Sequence, residues 1–127
     1  MIDQAGILMA QGLGIASERI QGVNDNMSQS HYHEYYEIYY LEAGERFHMV
    51  EDQLYKMEAG EFMIFPPYVM HHSYGEENIP FKRLLLYFKP EEILWPSVRD
   101  ALKEESGIYR TDIKKRQEIH RVMEDIL

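Results

Sequence analysis

Residues 35–41 have the sequence Tyr-Tyr-Glu-Ile-Tyr-Tyr-Leu, a run dense in side chains that favour β-strands. Further runs of this kind, each bounded by turn residues, cover 46–50, 54–57, 62–65 and 81–88. Pro66 and Pro67 end the run at 62–65, because proline has no N–H to donate to a neighbouring strand. Strands that recur about every ten residues with turns between them predict an antiparallel sandwich or barrel.

The composition describes one globular domain and excludes several classes of protein. The chain has 127 residues, 45% of them hydrophobic and 28% charged, which suits a single domain with its own core. Its 22 acidic and 13 basic residues give a net charge of −9, so it is unsuited to holding a nucleic-acid duplex by itself. It has no cysteine, which excludes disulfide scaffolds and thiolate metal sites and is compatible with the cytoplasm, our predicted location. No apolar run approaches the ~18 residues of a membrane span, and we expect no membrane partner.

The sequence divides into two zones, residues 1–88 and residues 89–127. The first zone holds the predicted strands and opens with an apolar run at 6–10, which predicts a loose strand or arm. The strand at 62–65 is apolar on both faces, so we expect this arm to cover it. The alternative is that the arm closes the mouth of the barrel.

The second zone is predicted to be helical and to end on an apolar stripe. Pro90 followed by two glutamates suits a helix N-terminus, and Asp112 begins the last helix. Apolar residues then recur at helical spacing; they are Ile119, Val122, Met123, Ile126 and Leu127. Because the sequence ends on this stripe, we expect a partner for it, either a second copy in a homodimer or a domain absent from these residues.

Four side chains in the first zone have the chemistry of metal ligands. They are His31, His33, Glu37 and His71. The first two share one face of an extended chain, because side chains alternate along a strand. Imidazole nitrogens with a carboxylate suit a divalent cation such as zinc, nickel, iron or manganese.

A common ion for these ligands requires a bend in the chain. On a straight strand Glu37 would lie ~13 Å from His33, so a bend or bulge is needed between Glu34 and Tyr36. His71 follows the proline-terminated strand in a predicted loop, which can turn it inward. Its neighbour His72 has the opposite parity and is then expected outside.

Several polar side chains are candidates for lining a ligand pocket. Tyr35 and Tyr39 share the strand face of the predicted metal ligands, and a ring with a hydroxyl suits a pocket. Arg46 and His48 on the next strand complete our pocket set, and Arg83 on a later strand is a further candidate. For these three the alternative is exposure to solvent. The tyrosines of opposite parity are expected to face outward or to meet a partner; they are Tyr32, Tyr36 and Tyr40.

Two patterns in the sequence resemble the motifs of the cupin superfamily. They are His31-x-His33-x3-Glu37-x6-Gly44 and Gly60-x5-Pro66-x-Tyr68-x2-His71. The usual glycine of the second motif is replaced by Tyr68, its later asparagine by Gly75, and the leading glycine of the first motif by Asp25. The resemblance implies a cupin-type antiparallel double-stranded β-helix, or jelly-roll barrel, followed by C-terminal α-helices. In metal-binding cupins the positions of His31, His33, Glu37 and His71 coordinate one divalent cation.

A narrower resemblance covers residues 33–40, 60–67, 71–73 and 83–88. These segments are similar to the N-terminal sensor domain of AraC-family transcription regulators. The resemblance implies a barrel that binds a small effector, often a sugar, and helices that mediate dimerisation. It also implies contact with DNA through two helix-turn-helix motifs that are not in these 127 residues. Many members of that family use no metal.

The function that we predict is therefore a ligand-sensing and dimerisation domain of a transcription regulator. The alternative is a stand-alone, metal-dependent cupin enzyme, an isomerase or an oxygenase, which the complete ligand set would allow. A metal-free binding module is a third possibility. The sequence has no nucleophile elbow, P-loop or dinucleotide-binding fingerprint, so we assign no catalytic residue and favour a protein that is not an enzyme.

Overall fold

The computed structural model describes residues 4–23, 32–75, 79–104, 107–109 and 111–127. Helix α1 spans Gln4–Ala10 and precedes seven strands: β1 (Ile15–Val23), β2 (Tyr36–Ala43), β3 (Glu45–Val50), β4 (Gln53–Glu58), β5 (Phe62–Phe65), β6 (His71–Tyr74) and β7 (Pro80–Phe88). A 3₁₀ turn (Pro90–Glu92), helix α2 (Pro96–Glu104), strand β8 (Gly107–Tyr109) and helix α3 (Ile113–Ile126) follow. No helix in the described part of the chain is long and apolar enough to cross a membrane.

The strands form two antiparallel sheets, as expected for a cupin-type barrel. One sheet has the strand order β1-β7-β2-β5-β8 and the other the order β4-β3-β6. The polypeptide passes from the first sheet to the second at Gly44, which has a φ of +88°. A Cβ atom there would lie 2.4 Å from the carbonyl oxygen of Pro80. Glycine is therefore needed at this position both for the positive φ and because a side chain would clash with Pro80. The predicted fold class is confirmed.

Alternation along the central strands separates an inner from an outer apolar face. Tyr39 and Leu41 of β2 point into the barrel, where they join the main core with Met63, Phe65 and Leu85. Outward-facing Tyr40 of β2 packs in a second cluster with Leu84 of β7 and Met123 of α3. Helix α3 therefore covers the outer face of the five-stranded sheet.

Five strands coincide with the predicted runs, whereas β1, β6 and β8 were missed. Strand β6 was expected to be a loop, because its sequence His-His-Ser-Tyr contains no apolar run, yet it pairs with β3 from Phe47↔Tyr74 to Val50↔His71. Strand β1 lies beside β7 over nine residue pairs. Its polar and small residues, among them Ser17, Glu18 and Gln21, obscure the alternation expected of a strand.

The expectation of a loose N-terminal strand or arm is wrong. The segment forms helix α1, which buries Ala5 and Met9, one helical turn apart, against the core. The backbone N–H of Ala5 donates to the carboxylate of Glu18 at 2.9 Å, which joins α1 to β1. The strand at 62–65 is covered on its outer side by α3 and not by this segment.

The C-terminal zone contains the expected helices and also one strand. Asp112 caps α3, where its carboxylate accepts a hydrogen bond from the N–H of Lys115 at 2.8 Å, so the predicted start of this helix is confirmed. Strand β8 extends the edge of β5, and the ring of Tyr109 stacks on that of Phe62 at 5.0 Å. This strand lies within the zone that we expected to be wholly helical.

The apolar stripe of α3 has a partner within the same chain. Met123 is buried and Ile119 is half-buried against the sheet. Val122, however, is 57% exposed and Ile126 is 41% exposed. The helix thus uses one side of its stripe internally and leaves the other side at the surface.

Candidate metal and ligand site

Three of the four predicted metal ligands meet inside the barrel. The Nε2 atom of His33 lies 3.1 Å from Oε1 of Glu37, and the Nε2 atom of His71 lies 3.3 Å from the same oxygen. Glu37 is 4% exposed and His71 is 3% exposed. The fourth predicted ligand, His31, lies outside the described residues.

The chain bends where the shared site requires it. Glu34 and Tyr35 form a bend immediately before β2 begins at Tyr36, which returns His33 to the side chain of Glu37. The predicted bend is therefore confirmed. The backbone N–H of Tyr68 donates to the carbonyl of His33 at 2.9 Å and ties the bend to the loop before β6.

Tyr68 occupies a position where the cupin motif has glycine, and it adopts the backbone conformation that glycine favours. Its φ is +66°, in the left-handed region that is uncommon for a side-chain-bearing residue. The tyrosine ring lies at the surface. The loop accordingly still directs His71 inward, and His72 is the less buried of the two, as expected.

Backbone carbonyls fix the orientation of both imidazole rings. Nδ1 of His33 lies 2.9 Å from the carbonyl oxygen of Tyr35, and Nδ1 of His71 lies 2.9 Å from that of Val69. Because a carbonyl oxygen can only accept, each Nδ1 carries the hydrogen. Each Nε2 is then directed at Glu37, where it can donate as an imidazolium or offer its lone pair to a cation.

The electrostatics of this group favour charge on both the carboxylate and the imidazole. Burial alone would raise the pKa of Glu37, but hydrogen bonds and positive charge from His33 and His71 hold that pKa well below its usual range. Burial alone would lower the pKa of His71, but the hydrogen bond and charge of Glu37 raise it. A doubly charged cation would replace the protons of the imidazoles with a stronger positive charge.

The donor set fits a borderline divalent cation. Two imidazole nitrogens and a carboxylate oxygen lie within 4.8 Å of one another, and both imidazoles have the carbonyl partners typical of histidine ligands to metals. Zinc, nickel, iron and manganese all accept such a set. His33, Glu37 and His71 are the described residues that would hold the ion.

A second group of similar composition has a different role. Glu42, His120 and Glu124 also lie within 4.8 Å of one another, but the guanidinium of Arg19 already supplies the positive charge. Arg19 contacts Glu42 at 2.8 Å and Glu124 at 2.5 Å. We call these four residues the helix-docking network, because they join β1 and β2 to α3.

The predicted pocket residues lie on the barrel interior and at its mouth. Tyr39 and His48 are each 1% exposed, and Arg46 is 2% exposed. The rings of Tyr39 and His48 pack edge to face, with their centroids 4.4 Å apart. Tyr35 stacks flat on His33 at 4.2 Å. The alternative that Arg46 and His48 face solvent is therefore wrong, because their strand directs them into the core.

Arg83 also points inward, which the sequence left open. Its guanidinium carbon lies 5.2 Å from the ring centroid of Tyr39 and 5.8 Å from that of Phe81. Burial lowers the pKa of His48 to about 3, so this ring is neutral at physiological pH. On the opposite face of β2, Tyr36 stacks on Phe88 outside the barrel.

A cleft of about 460 Å³ lies between α1 and the bend that carries His33. Residues from α1, from the bend and from the segment after β7 line it; they are Gly6, Met9, Ala10, His33, Glu34, Tyr35, Lys89 and Glu91. The cleft gives solvent access to the side of the barrel that holds the candidate metal ligands. Gly6, Met9 and Ala10 are the residues of α1 that border this cleft.

The sequence matches the family model of the AraC-like ligand binding domain over residues 15–126. The chain belongs to this family. The match extends from β1 to the end of α3, so both the barrel and the helical tail are parts of an AraC-like ligand-binding domain. The resemblance noted from the sequence is thereby confirmed.

Solved structures with the same fold are cupins of low sequence identity. A cupin protein from Bacteroides fragilis aligns with a TM-score of 0.58 at 16% identity, over 78% of this chain and 80% of that one. A cupin superfamily protein from Desulfitobacterium hafniense has a TM-score of 0.52 at 14% identity, over 59% and 67% of the two chains. These likenesses support the fold alone. No curated protein matches this sequence.

The protonation of His71 leads to a testable dependence of stability on pH. In the AraC-like domain without metal, the raised pKa of His71 means that its pairing with Glu37 stabilises the fold below pH ~6.5. That contribution is lost as the pH rises through the folded-state pKa. His71→Gln should therefore lower the free energy of unfolding more at pH 6 than at pH 8.5, as measured by urea denaturation in EDTA. His72→Gln is the control, and an equal loss at both pH values for His71→Gln would contradict the assignment.

Proposed function

We propose that this chain is the effector-sensing and dimerisation domain of a transcription regulator. A small effector binds within the barrel, and a divalent cation is held by His33, Glu37 and His71. A helix-turn-helix domain outside these residues contacts DNA in response. Membership of the AraC-like ligand-binding family supports the sensing role, and the acidic net charge of −9 suits a domain that leaves DNA contact to another part of the protein.

One observation carries the proposal: a single strand connects the barrel site to the helical tail. On β2, Glu37 points into the barrel, whereas Tyr40 and Glu42 contact α3 on the outside. The carboxylate of Glu42 lies 2.6 Å from Nε2 of His120, and the ring of Tyr40 stacks on the His120 ring at 5.2 Å. A change in the position of β2 at Glu37 therefore reaches α3 within five residues.

This connection meets the physical requirement for a sensor. A ligand shifts an equilibrium between two arrangements only by as much as it binds one of them more tightly. The helix-docking network is the element that can hold α3 in one arrangement, because its charges come from two strands and from the helix. When bound, the cation would supply Lewis acidity towards an oxygen atom of the effector.

The exposed side of α3 supports a role in dimerisation. Val122 and Ile126 border an apolar groove of about 400 Å³ between α3 and the outer face of the sheet. An apolar helix face next to a groove is a surface that a second copy of the same helix can fill. We propose the homodimer on this ground.

A metal-dependent cupin enzyme is the second candidate. Two histidines and one carboxylate are also the donor set of metal sites that keep coordination positions open for substrate. The buried position of Glu37 beside both imidazoles suits a catalytic metal site as well as it suits the cation site of a sensor. Turnover of a small organic substrate by the metal-loaded chain would establish this candidate in place of the sensor.

The sensing function is tested by uncoupling α3 from the barrel. We expect one equivalent of zinc chloride to change hydrogen exchange of the α3 amides by about threefold or more in the native chain. In Glu42→Gln, zinc should bind with unchanged affinity while the response of α3 is lost, because the network no longer joins β2 to His120. Glu45→Gln, at a half-buried position on β3 whose carboxylate lies 3.8 Å from Nζ of Lys56, is the matched control.

Two results would contradict this proposal. One is a native α3 that exchanges at the same rate with and without zinc although zinc is bound. The other is a Glu42→Gln variant whose α3 responds as the native helix does.

A further inference from the structure

The middle of the barrel contains buried polar atoms whose hydrogen-bonding capacity the protein does not use. Within the described ranges, the hydroxyl of Tyr39, both ring nitrogens of His48 and Nε of Arg83 have no hydrogen-bond partner. Tyr39 and His48 are among the most deeply buried side chains of the chain. A buried polar group without a partner destabilises the folded state, so this cluster is a place where a bound molecule would supply the missing partners.

Two guanidinium groups bring positive charge to the cluster: Arg46 lies 4.2 Å from the ring centroid of Phe81, and Arg83 lies near the rings of Tyr39 and Phe81. A guanidinium remains protonated throughout the physiological pH range, and Arg83 forms no ion pair with any described residue. Its neighbours are instead the rings of Tyr39 and Phe81. Glu37 is the acidic side chain that points into the barrel from β2, but His33 and His71 already engage its carboxylate. The positive charge of Arg83 is thus not paired with an acidic side chain among the described residues.

The register of the strands places these groups along a short path. Leu41 of β2 pairs with Arg83 of β7, and Tyr39 pairs with Leu85. Two residues of strand separate the level of Arg83 from that of Tyr39, or ~6.6 Å. His48 on the opposing sheet meets Tyr39 from across the barrel. Because the guanidinium carbon of Arg83 lies 5.2 Å from the ring centroid of Tyr39, a molecule of a few heavy atoms would contact Arg83, Tyr39 and His48 together.

We propose that the effector of the barrel is a small organic acid whose carboxylate binds Arg83, with Tyr39 and His48 completing its hydrogen bonds; this rests on the proposed sensing function. The planar guanidinium presents two parallel N–H groups that match the two oxygens of a carboxylate. Phe65, Phe81 and Leu85 form apolar walls around the cluster. These walls suit the carbon skeleton of an organic acid and not an inorganic phosphate, which has no apolar part.

The test compares acids with amides of the same shape. The full chain is titrated with acetate, lactate and cyclohexanecarboxylate, and separately with acetamide, lactamide and cyclohexanecarboxamide. Binding is followed by calorimetry and by the NMR resonance of the Arg83 Nε–H group. We expect at least one acid to bind and to shift that resonance, and its amide to bind tenfold more weakly or not at all.

Variants on β7 locate the binding group. Arg83→Gln should weaken binding of the acid at least tenfold. Lys82→Gln, at the neighbouring position on the other face of the strand, should leave it unchanged. Should Arg83→Gln fail to fold, Arg83→Lys retains the positive charge without the paired N–H groups, and a severalfold weakening of acid binding is expected.

Several outcomes would overturn the inference. They are equal binding of acids and amides, unchanged acid binding in the folded Arg83 variants, preferential binding of inorganic phosphate, and no binding by any acid. Binding of a neutral sugar, tested with D-glucose, in place of the acids would overturn the carboxylate assignment alone. The sensing function is decided separately by the response of α3 to zinc.

Discussion

Glu37→Gln is expected to weaken zinc binding at least about 100-fold, because it removes the only carboxylate that faces both His33 and His71 within the described chain. The amide has nearly the same shape, but it carries no charge to balance a divalent cation. The lost affinity corresponds to about 2.7 kcal/mol. Calorimetric titration of metal-free protein with zinc chloride measures it directly.

His72→Gln is the control for this experiment. His72 neighbours a proposed ligand in sequence but lies on the other face of β6, so zinc affinity should remain within twofold of the native value. Circular dichroism of both variants verifies that the strands persist. Native zinc affinity in folded Glu37→Gln would show that the carboxylate is not a ligand.

Met123→Ala should lower the free energy of unfolding by about 2–4 kcal/mol, the usual cost of truncating a large buried side chain. Met123 is the buried residue of α3, and it packs against Tyr40 and Leu84 on the outer face of the sheet. The truncation leaves a void at the contact that holds the helix. Urea denaturation followed by circular dichroism measures the change.

Val122→Ala is the matched variant on the same helix. Val122 is next to Met123 in sequence but is 57% exposed. Truncating it to alanine should therefore lower the free energy of unfolding by less than about 1 kcal/mol at protein concentrations where the chain is monomeric. Equal losses for the two variants would mean that α3 is not docked through Met123.

Strand β2 and the bend before it were predictable from the sequence because their patterns are local. Alternation placed Glu37 and Tyr39 on one face of β2, and the spacing from His33 to Glu37 required the bend that the structure contains at residues 34–35. Asp112 predicted the start of α3 because an aspartate side chain can accept a hydrogen bond from the first backbone N–H groups of a helix. Each of these features depends on residues within one turn or one strand.

The features that escaped prediction depend on contacts between distant segments. β6 is polar along its whole length and is a strand because β3 supplies its hydrogen bonds. The inward direction of Arg83 follows from its register with Leu41, a pairing that the sequence does not encode locally. The helix-docking network unites Arg19 with Glu124, 105 residues apart, and no motif marks such a pair.

The most direct test of the account is anomalous X-ray diffraction at the zinc absorption edge from crystals grown with one equivalent of zinc chloride. The account predicts one strong peak within ~2.0–2.2 Å of Nε2 of His33, Nε2 of His71 and a carboxylate oxygen of Glu37. A strong peak at Glu42, His120 and Glu124 instead, or no peak within the barrel, would contradict it.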